Sequence, residues 1–485
     1  MVFQADRPIR IFGTCKKGIE IRLDFLNYCT KIKTKDTTFT FLLEPLPKLS
    51  EPFSVIISHK RTEVVLDNCV VGDVFLLCGS SNMEMSVAES YENRPASNPK
   101  IRYYQVPKIP YIGAEQEYPD LYLTDSSWKV LKAPDMSSFS AIAYHVSKKL
   151  AYELEYPIGI IQASYEQTSL FAFAGMMEIC SIQELGKFCS NYKTESTRYH
   201  KTTEYDHAFQ EQMKQFHLYH QLKVTYLKDH SALEASVMAF QAHPFVLPMG
   251  PKHFNRPSGL YETMIKPLEG LSFKGAVLYF GEDDLQNANV IQYGYQTLIE
   301  SWRKLFKDPK LPFVLVQIAG YSYEGINHDS VAKLRQAQQQ VVELSNQIAM
   351  ASAVDLGEEH NILPREKEVI GKRIANVLLE RVYRLEKNQM APAYFSHQAT
   401  PGKVIIYTEY NNLFLTSRSM NQMGFSVSYD GTTFQLLRNV KLVANQIVIQ
   451  QLKEWKEIRY CYEHYPNCDI FTTNDLPLLP FRIVY

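Results

Sequence analysis

The chain has 485 residues, enough for two or three domains at roughly 150 residues each. Its residues are 45% hydrophobic and 21% charged, which excludes the disordered and collagen-like classes. Lys+Arg 51 against Asp+Glu 52 leaves a formal charge of -1, so there is no basic excess of the kind that nucleic acid or an anionic membrane attracts.

In chain order, Ile19, Ile21, Leu23 and Phe25 alternate with Glu20, Arg22 and Asp24, the period-2 pattern of a half-buried strand in a β-rich stretch 1–70. The apolar runs Val74–Leu77, Ile158–Ile161, Ala276–Leu278 and Phe313–Val316 predict buried parallel strands. Leu334, Val341, Leu344 and Ile348 share one helical face, as do Ile370, Ile374, Val377 and Leu378. Alternating strands and helices imply a doubly wound α/β domain over 71–388. Residues 181–245 are polar and helix-like, with Phe209, Met213 and Phe216 on one side, and read as an insertion, either a lid or an inert excursion. Phe425, Val427 and Tyr429 alternate before a turn at Asp430-Gly431, and Val404–Ile406 and Ile447–Ile449 add strands, so 389–485 is β-rich again. The two β ends are expected to pack together beside the α/β domain.

No apolar run reaches the ~18 uncharged residues of a membrane-spanning helix. The eight cysteines form no C-x-x-C pair and no metal-like cluster with histidine. The opening Met-Val-Phe-Gln-Ala-Asp-Arg-Pro has neither the basic stretch nor the apolar run of a secretory signal. A cytoplasmic protein with free thiols is expected; a removed leader would make it secreted or lysosomal. Nothing in the sequence speaks to oligomeric state.

In an open α/β sheet the ligand sits beyond the carboxyl ends of the strands. The first such junction is Gly72-Asp73-Val74-Phe75-Leu76-Leu77-Cys78-Gly79-Ser80-Ser81-Asn82-Met83-Glu84-Met85. A Gly-Ser-Ser-Asn turn there can put a hydroxyl at a helix start, where amide N–H groups face a developing anion. Plain turn chemistry accounts for the same four residues.

That block resembles the catalytic block G-D-V-W-L-C-S-G-Q-S-N-M-E of the sialate O-acetylesterase family, which belongs to the SGNH hydrolases. The similarity starts at Met1-Val2-Phe3-Gln4 with Arg7-Pro8-Ile9. It continues through Phe139-Ser140-Ala141, Pro157 to Ile161, Leu260-Tyr261 to Pro267-Leu268, Gly275 to Glu282 and Ser301-Trp302-Arg303. It then takes in Leu334 to Gln338 and ends at Leu479-Pro480-Phe481-Arg482. The resemblance implies an SGNH-hydrolase-like doubly wound sheet flanked by β-rich segments. It also implies a serine esterase that removes O-acetyl groups from sialic acid or a related sugar, with Ser81 as nucleophile, a histidine as base and no metal or cofactor. O-acetylated sialic acid or another acetylated carbohydrate would be the partner. A hydroxyl attacks an ester poorly unless a base removes its proton, and the tetrahedral oxyanion needs donors in place.

The chain departs from the family at each of these parts. The glutamine of G-Q-S-N-M is Ser80, although Ser81 and Asn82 remain. The S-x-W-G-G-T block becomes Ser164-Tyr165-Glu166-Gln167-Thr168, without its glycines. The W-Y-Q-G-E-S-N block becomes Leu278-Tyr279-Phe280-Gly281-Glu282-Asp283-Asp284, so its terminal amide donor is an acid. In the D-I-H-P-x-x-K block, read as Asn361 to Lys367, Leu363 replaces the histidine. Glu166 and Asp284, if ionised, would repel the oxyanion; if burial raised their pKa, either could serve as a base. His360 could also take that role with Glu358 or Asp355 orienting it, or it is a surface histidine in an acidic loop. His207, His217 and His220 read as solvated helix positions. Two readings follow: an esterase with an altered or weakened site, or an inactive relative that binds an acetylated glycan or a protein partner in the former cleft.

Overall fold

The computed structural model describes the chain except for residues 93, 123–125, 134, 200, 328, 386, 410–413, 419–422, 444 and the side chain of 232. The run Val74-Phe75-Leu76-Leu77-Cys78 is buried throughout, because a strand with neighbours on both edges and helices on both faces has no solvent side. It forms the second half of the long strand Thr62–Gly79. In spatial order the sheet runs Ile348–Ser352, Phe313–Gln317, Gly275–Tyr279, Thr62–Gly79, Ile158–Ser164, Asn98–Gln105 and Lys129–Leu131. Neighbours are parallel except for the last pair.

Helix Ala141–Leu154 packs with Glu368–Leu378, and Ile291–Leu305 with Ser330–Glu343. Right-handed crossovers leaving the central strand in opposite directions put one pair on each face of the sheet. This is the doubly wound α/β architecture expected, and its strand order reverses at Thr62–Gly79. Residues following Gly79 therefore stand at the topological switch point, where a ligand crevice opens.

The N-terminal β region feeds straight into the sheet. Strands Glu20–Phe25, Tyr28–Lys33 and Leu49–His59 pair in series and reach Thr62–Gly79, so the division at residue 70 falls within one strand. Val2–Gln4 pairs in parallel with Val70–Gly72. Buried Asp73 ties this region down: it accepts hydrogen bonds from Gln4 Nε2 at 2.8 Å, Tyr156 Oη at 2.7 Å and Tyr383 Oη at 2.7 Å.

The C-terminal strands between Tyr394 and Val484 enclose their own core, which includes Val404, Phe425, Ile447 and Tyr460. That core is separate from the one formed by Ile9, Ile21, Leu23 and Phe41 near the N-terminus. Among the described residues no hydrogen bond or ion pair joins 1–70 to 389–485. Strand pairing and hydrogen bonds join each β end to the α/β unit. Arg335, fully buried on helix Ser330–Glu343, fastens the second of them by donating to the carbonyls of Ile318, Ala319, Glu463 and His464 at 2.7–3.3 Å.

Two local readings also change. Ile348 starts a strand rather than extending the helical face, because the helix stops at Glu343 and Ser345 Oγ accepts from Gln347 N–H in the turn that follows. The turn at Asp430-Gly431 lies inside a longer loop, since Val427 pairs with Gln435. Residues 181–245 are helical as expected, with helices Gly186–Ser196, Thr202–Tyr226 and Ala232–Ala242. Phe209, Met213 and Phe216 close against Tyr111, Tyr122 and Leu247 in a small core. No described helix is long and apolar enough to cross a membrane.

Candidate active site

Strand Thr62–Gly79 ends where Ser80 N–H donates to Tyr279 O at 3.1 Å, and the short helix Ser81–Glu84 starts directly after. Gly79 is required there, because a Cβ would lie 2.5 Å from Tyr279 O and 2.6 Å from Met83 Cβ. The two serines meet consecutive amides of the neighbouring strand's loop. Gln167 N–H donates to Ser81 Oγ at 3.0 Å and Thr168 N–H donates to Ser80 Oγ at 3.0 Å. Ser81 is half-buried and Ser80 is buried. Gln167 sits at φ 57, the left-handed conformation that glycine adopts freely. The glycines of this loop are gone, yet a backbone donor still faces the seryl oxygen.

The loop after strand Gly275–Tyr279 supplies three acids, which the structure sends to three different partners. Gly281, at φ 143 and with only 2.7 Å available between a Cβ and Ile318 Cγ2, turns the chain so that they diverge. Glu282 accepts from Asn82 Nδ2 at 2.9 Å. Asp283 accepts from Ser80 Oγ at 2.5 Å. Asp284 turns inward, fully buried, to accept from Ser169 Oγ and from Leu170 N–H at 3.0 Å. Burial pushes Glu282 and Asp284 up to about 7 and Asp283 up to about 6. Asn82 is a junction: it also donates to Ile362 O at 3.1 Å and accepts from buried Lys367 Nζ at 2.7 Å, whose ammonium burial lowers to about 7.

Several sequence expectations change at this point. Asp284 is spent on Ser169 and Leu170, so it is not the ion facing Ser81. Glu166 pairs with Lys223 at 2.5 Å. Burial would raise its carboxyl, but Lys223 and Lys108 outweigh burial and hold it at about 2, which makes it a charged partner and a poor base. The structure does not bring His360 to Ser81: its side chain is 86% exposed beside Glu359. Its proposed orienters are engaged elsewhere, Asp355 with Arg373 at 2.6 Å and Glu358 with Asn361 Nδ2 at 3.0 Å. Phe280 is core, its ring tilted against that of Phe173. Among the described residues Ser81 Oγ donates to no side chain.

Beside Gln167 opens a cavity of about 450 Å³. Its walls include Tyr122, Tyr165 and Phe254 from the α/β domain and Phe216, Tyr219 and Phe245 from the insertion side, so 181–245 roofs the cleft. His220 lies in this wall, edge-on to Phe216 at 4.3 Å, and burial lowers it to about 4. It is not the solvated helix position expected, because the polar sequence around it hid an aromatic neighbourhood built from distant segments.

Sequence reasoning missed Asp283, Lys367 and Lys223 as site residues. The first two lay in quoted blocks: three consecutive acids straight after an all-apolar strand, and the lysine that closes the Asn361–Lys367 block, are both unusual inside a core. Nothing local marked Lys223.

The acids carry a pH signature. A carboxyl whose folded value is raised contributes stability that is fully present below its unfolded value, about 4, and is lost as pH rises through its folded value, here about 7 for Asp284. Lys367, whose value is lowered, acts in the opposite direction, so the informative quantity is the difference between variants. Asp284→Asn, which is always neutral, is expected to lose less stability than the native chain between pH 5 and pH 8. Urea midpoints at both pH values measure this; equal losses would contradict it.

Comparison with known proteins agrees with this architecture. Residues 250–380 match the family model "Carbohydrate esterase, sialic acid-specific acetylesterase". That span holds the Gly281–Asp284 and Asn361–Lys367 blocks and starts beyond Ser81. Over 397 residues the chain is 25% identical to a sialate O-acetylesterase of Mus musculus, covering 75% of this chain and 68% of that one. Against the Homo sapiens sialate O-acetylesterase it is 24% identical over 397 residues, covering 75% and 65%. The chain thus spans about two thirds of the length of these relatives. A crystal structure of a carbohydrate acetylesterase from Xanthomonas citri superposes with TM-score 0.78 at 20% identity, covering 99% of this chain and 96% of that one, and it shares the fold.

Proposed function

The chain belongs to the sialate O-acetylesterase family, and from that premise we propose that it is a carboxylic ester hydrolase that removes O-acetyl groups from sialic acid or a related sugar through Ser81. The observation that carries this reading is the amide of Gln167, 3.0 Å from Ser81 Oγ at the carboxyl end of the central strand. As the seryl oxygen bonds to the acyl carbon, a donor in that position can follow the charge onto the oxyanion; one such donor is worth about 2.7–4 kcal/mol in other serine hydrolases. Turnover is slow relative to an enzyme with an imidazole, because Leu363 cannot take a proton and general-base catalysis contributes about 10²–10⁴-fold.

Acetate release from an O-acetylated sialic acid and from an aryl acetate tests the reading, native chain against Ser81→Ala. Saturable turnover that disappears in the variant is expected. Equal background rates would replace the esterase by the second reading, a protein that binds an acetylated glycan without cleaving it. That second reading draws on one observation, the absence of an imidazole at position 363.

A further inference from the structure

The site holds a carboxylate that the family pattern does not contain. Two departures from that pattern, Ser80 and Asp283, lie about 200 residues apart in sequence and are hydrogen-bonded to each other, Ser80 Oγ donating to Asp283 Oδ2 at 2.5 Å. Thr168 N–H holds Ser80 Oγ from the other side at 3.0 Å. The hydroxyl of Ser80 is thereby saturated and buried, which suits a group that orients another and not one that attacks substrate. Part of the Asp283 residue reaches solvent while neighbouring groups desolvate its carboxyl, and among the described residues its Oδ1 has no hydrogen-bond partner. The consecutive amides of Gln167 and Thr168 bind the two seryl oxygens, so the hydroxyl that holds Asp283 and the Ser81 hydroxyl share one loop as their donor.

The other acids and imidazoles near the cleft have partners of their own: Glu84 pairs with Lys108, and His220 lies edge-on to Phe216 in the aromatic wall. Glu166 is paired with Lys223, Glu282 with Asn82, Asp284 with Ser169 and Leu170, and His360 faces solvent. We propose that Asp283 replaces the family histidine as the proton acceptor for Ser81, with Ser80 as the positioning residue that aims it. The inference rests on the esterase reading above.

The steps balance. The Ser81 O–H bond breaks and its proton passes to the Asp283 carboxylate as Ser81 Oγ bonds to the acyl carbon. The tetrahedral oxyanion faces the Gln167 amide. When the carbon–oxygen bond to the sugar breaks, the sugar oxygen takes the proton from the Asp283 carboxyl. Water then gives a proton to the same carboxylate as its oxygen bonds to the acyl carbon; the bond from that carbon to Ser81 Oγ breaks, Oγ takes the proton back from Asp283, and the acid is released. Asp283 must be ionised to begin, and burial places it at about 6, so the rate is expected to climb through that pH and level off above it.

Two readouts test the assignment: the pH profile of aryl acetate hydrolysis, and covalent labelling by an alkyl fluorophosphonate followed by peptide mass. The native chain should label at Ser81, with an inflection near pH 6. Asp283→Asn keeps the size and the hydrogen bond to Ser80; it should slow both reactions by about 10²-fold or more and flatten the profile. Ser80→Ala should reduce kcat and shift the inflection while KM holds, a pattern that a merely structural serine would not give. Undiminished labelling in Asp283→Asn overturns the inference and leaves the serine esterase standing. Loss on His220→Gln in place of Asp283→Asn overturns it in favour of the roofing helix, and label on Ser80 overturns the positioning role. A native chain that neither labels nor hydrolyses removes the esterase reading itself, and this inference with it.

Discussion

Leu363→His is expected to raise ester hydrolysis by about 10²-fold, the lower end of what a positioned general base supplies. The structure ties the loop that carries the graft to the serine turn. The loop carrying residue 363 is anchored one residue from the nucleophile, because Asn82 Nδ2 donates to Ile362 O at 3.1 Å, and Asn361 Oδ1 accepts from Leu363 N–H at 3.0 Å to set the turn. The single substitution is the cleaner experiment. Adding Asn361→Asp supplies an orienting carboxylate but faces Glu358, which now accepts from Asn361 Nδ2 at 3.0 Å. A new inflection near the ordinary histidine value of about 6.5 should accompany the gain in kcat/KM. Made in the Asp283→Asn background, the same graft should give a larger fold-gain, since one base then replaces an absent one. No change in either background would mean that position 363 does not face Ser81.

Arg335→Ala is expected to cost about 4 kcal/mol of stability. The guanidinium is fully buried and donates to four backbone carbonyls, two at the end of strand Phe313–Gln317 and two in the C-terminal region at Glu463 and His464. Truncation leaves those acceptors without donors, at a penalty of about 1–3 kcal/mol each before relaxation or entering water recovers part of it, and also opens a cavity. Urea unfolding followed by tryptophan fluorescence, where Trp455 reports on the C-terminal core and Trp302 on the α/β core, measures the loss. The two regions should separate, with the Trp455 transition moving to lower urea first. A single transition, shifted by less than 1 kcal/mol, would contradict the role assigned to Arg335.

The fold was legible because burial on both faces of a parallel sheet leaves no freedom: Val74–Cys78, Ile158–Ile161 and Phe313–Val316 had to be apolar throughout, and they are. The serine turn was legible for a similar reason, since only glycine fits at position 79. What the chain order concealed was the partnership of charges. Glu166 looked like a threat to an oxyanion until Lys223, on a helix 57 residues away, was seen to neutralise it. Asp284 looked like another, but its loop turns it into the interior. Asp283, between two acids that seemed to matter more, accepts from Ser80. The direction of a side chain on a loop depends on backbone angles such as φ 143 at Gly281, which motif letters do not encode.

The hub at Asp73 bears on how the molecule is made. Its three donors come from residues 4, 156 and 383, so the hub is incomplete until Tyr383 has been translated. Closing so long a span is slow, and until it happens buried Asp73 lacks one of its three donors. Chaperone demand during synthesis should therefore peak late, and variants at residue 4 or 383 should lower the yield of recombinant protein more than they lower the stability of the molecules that do mature.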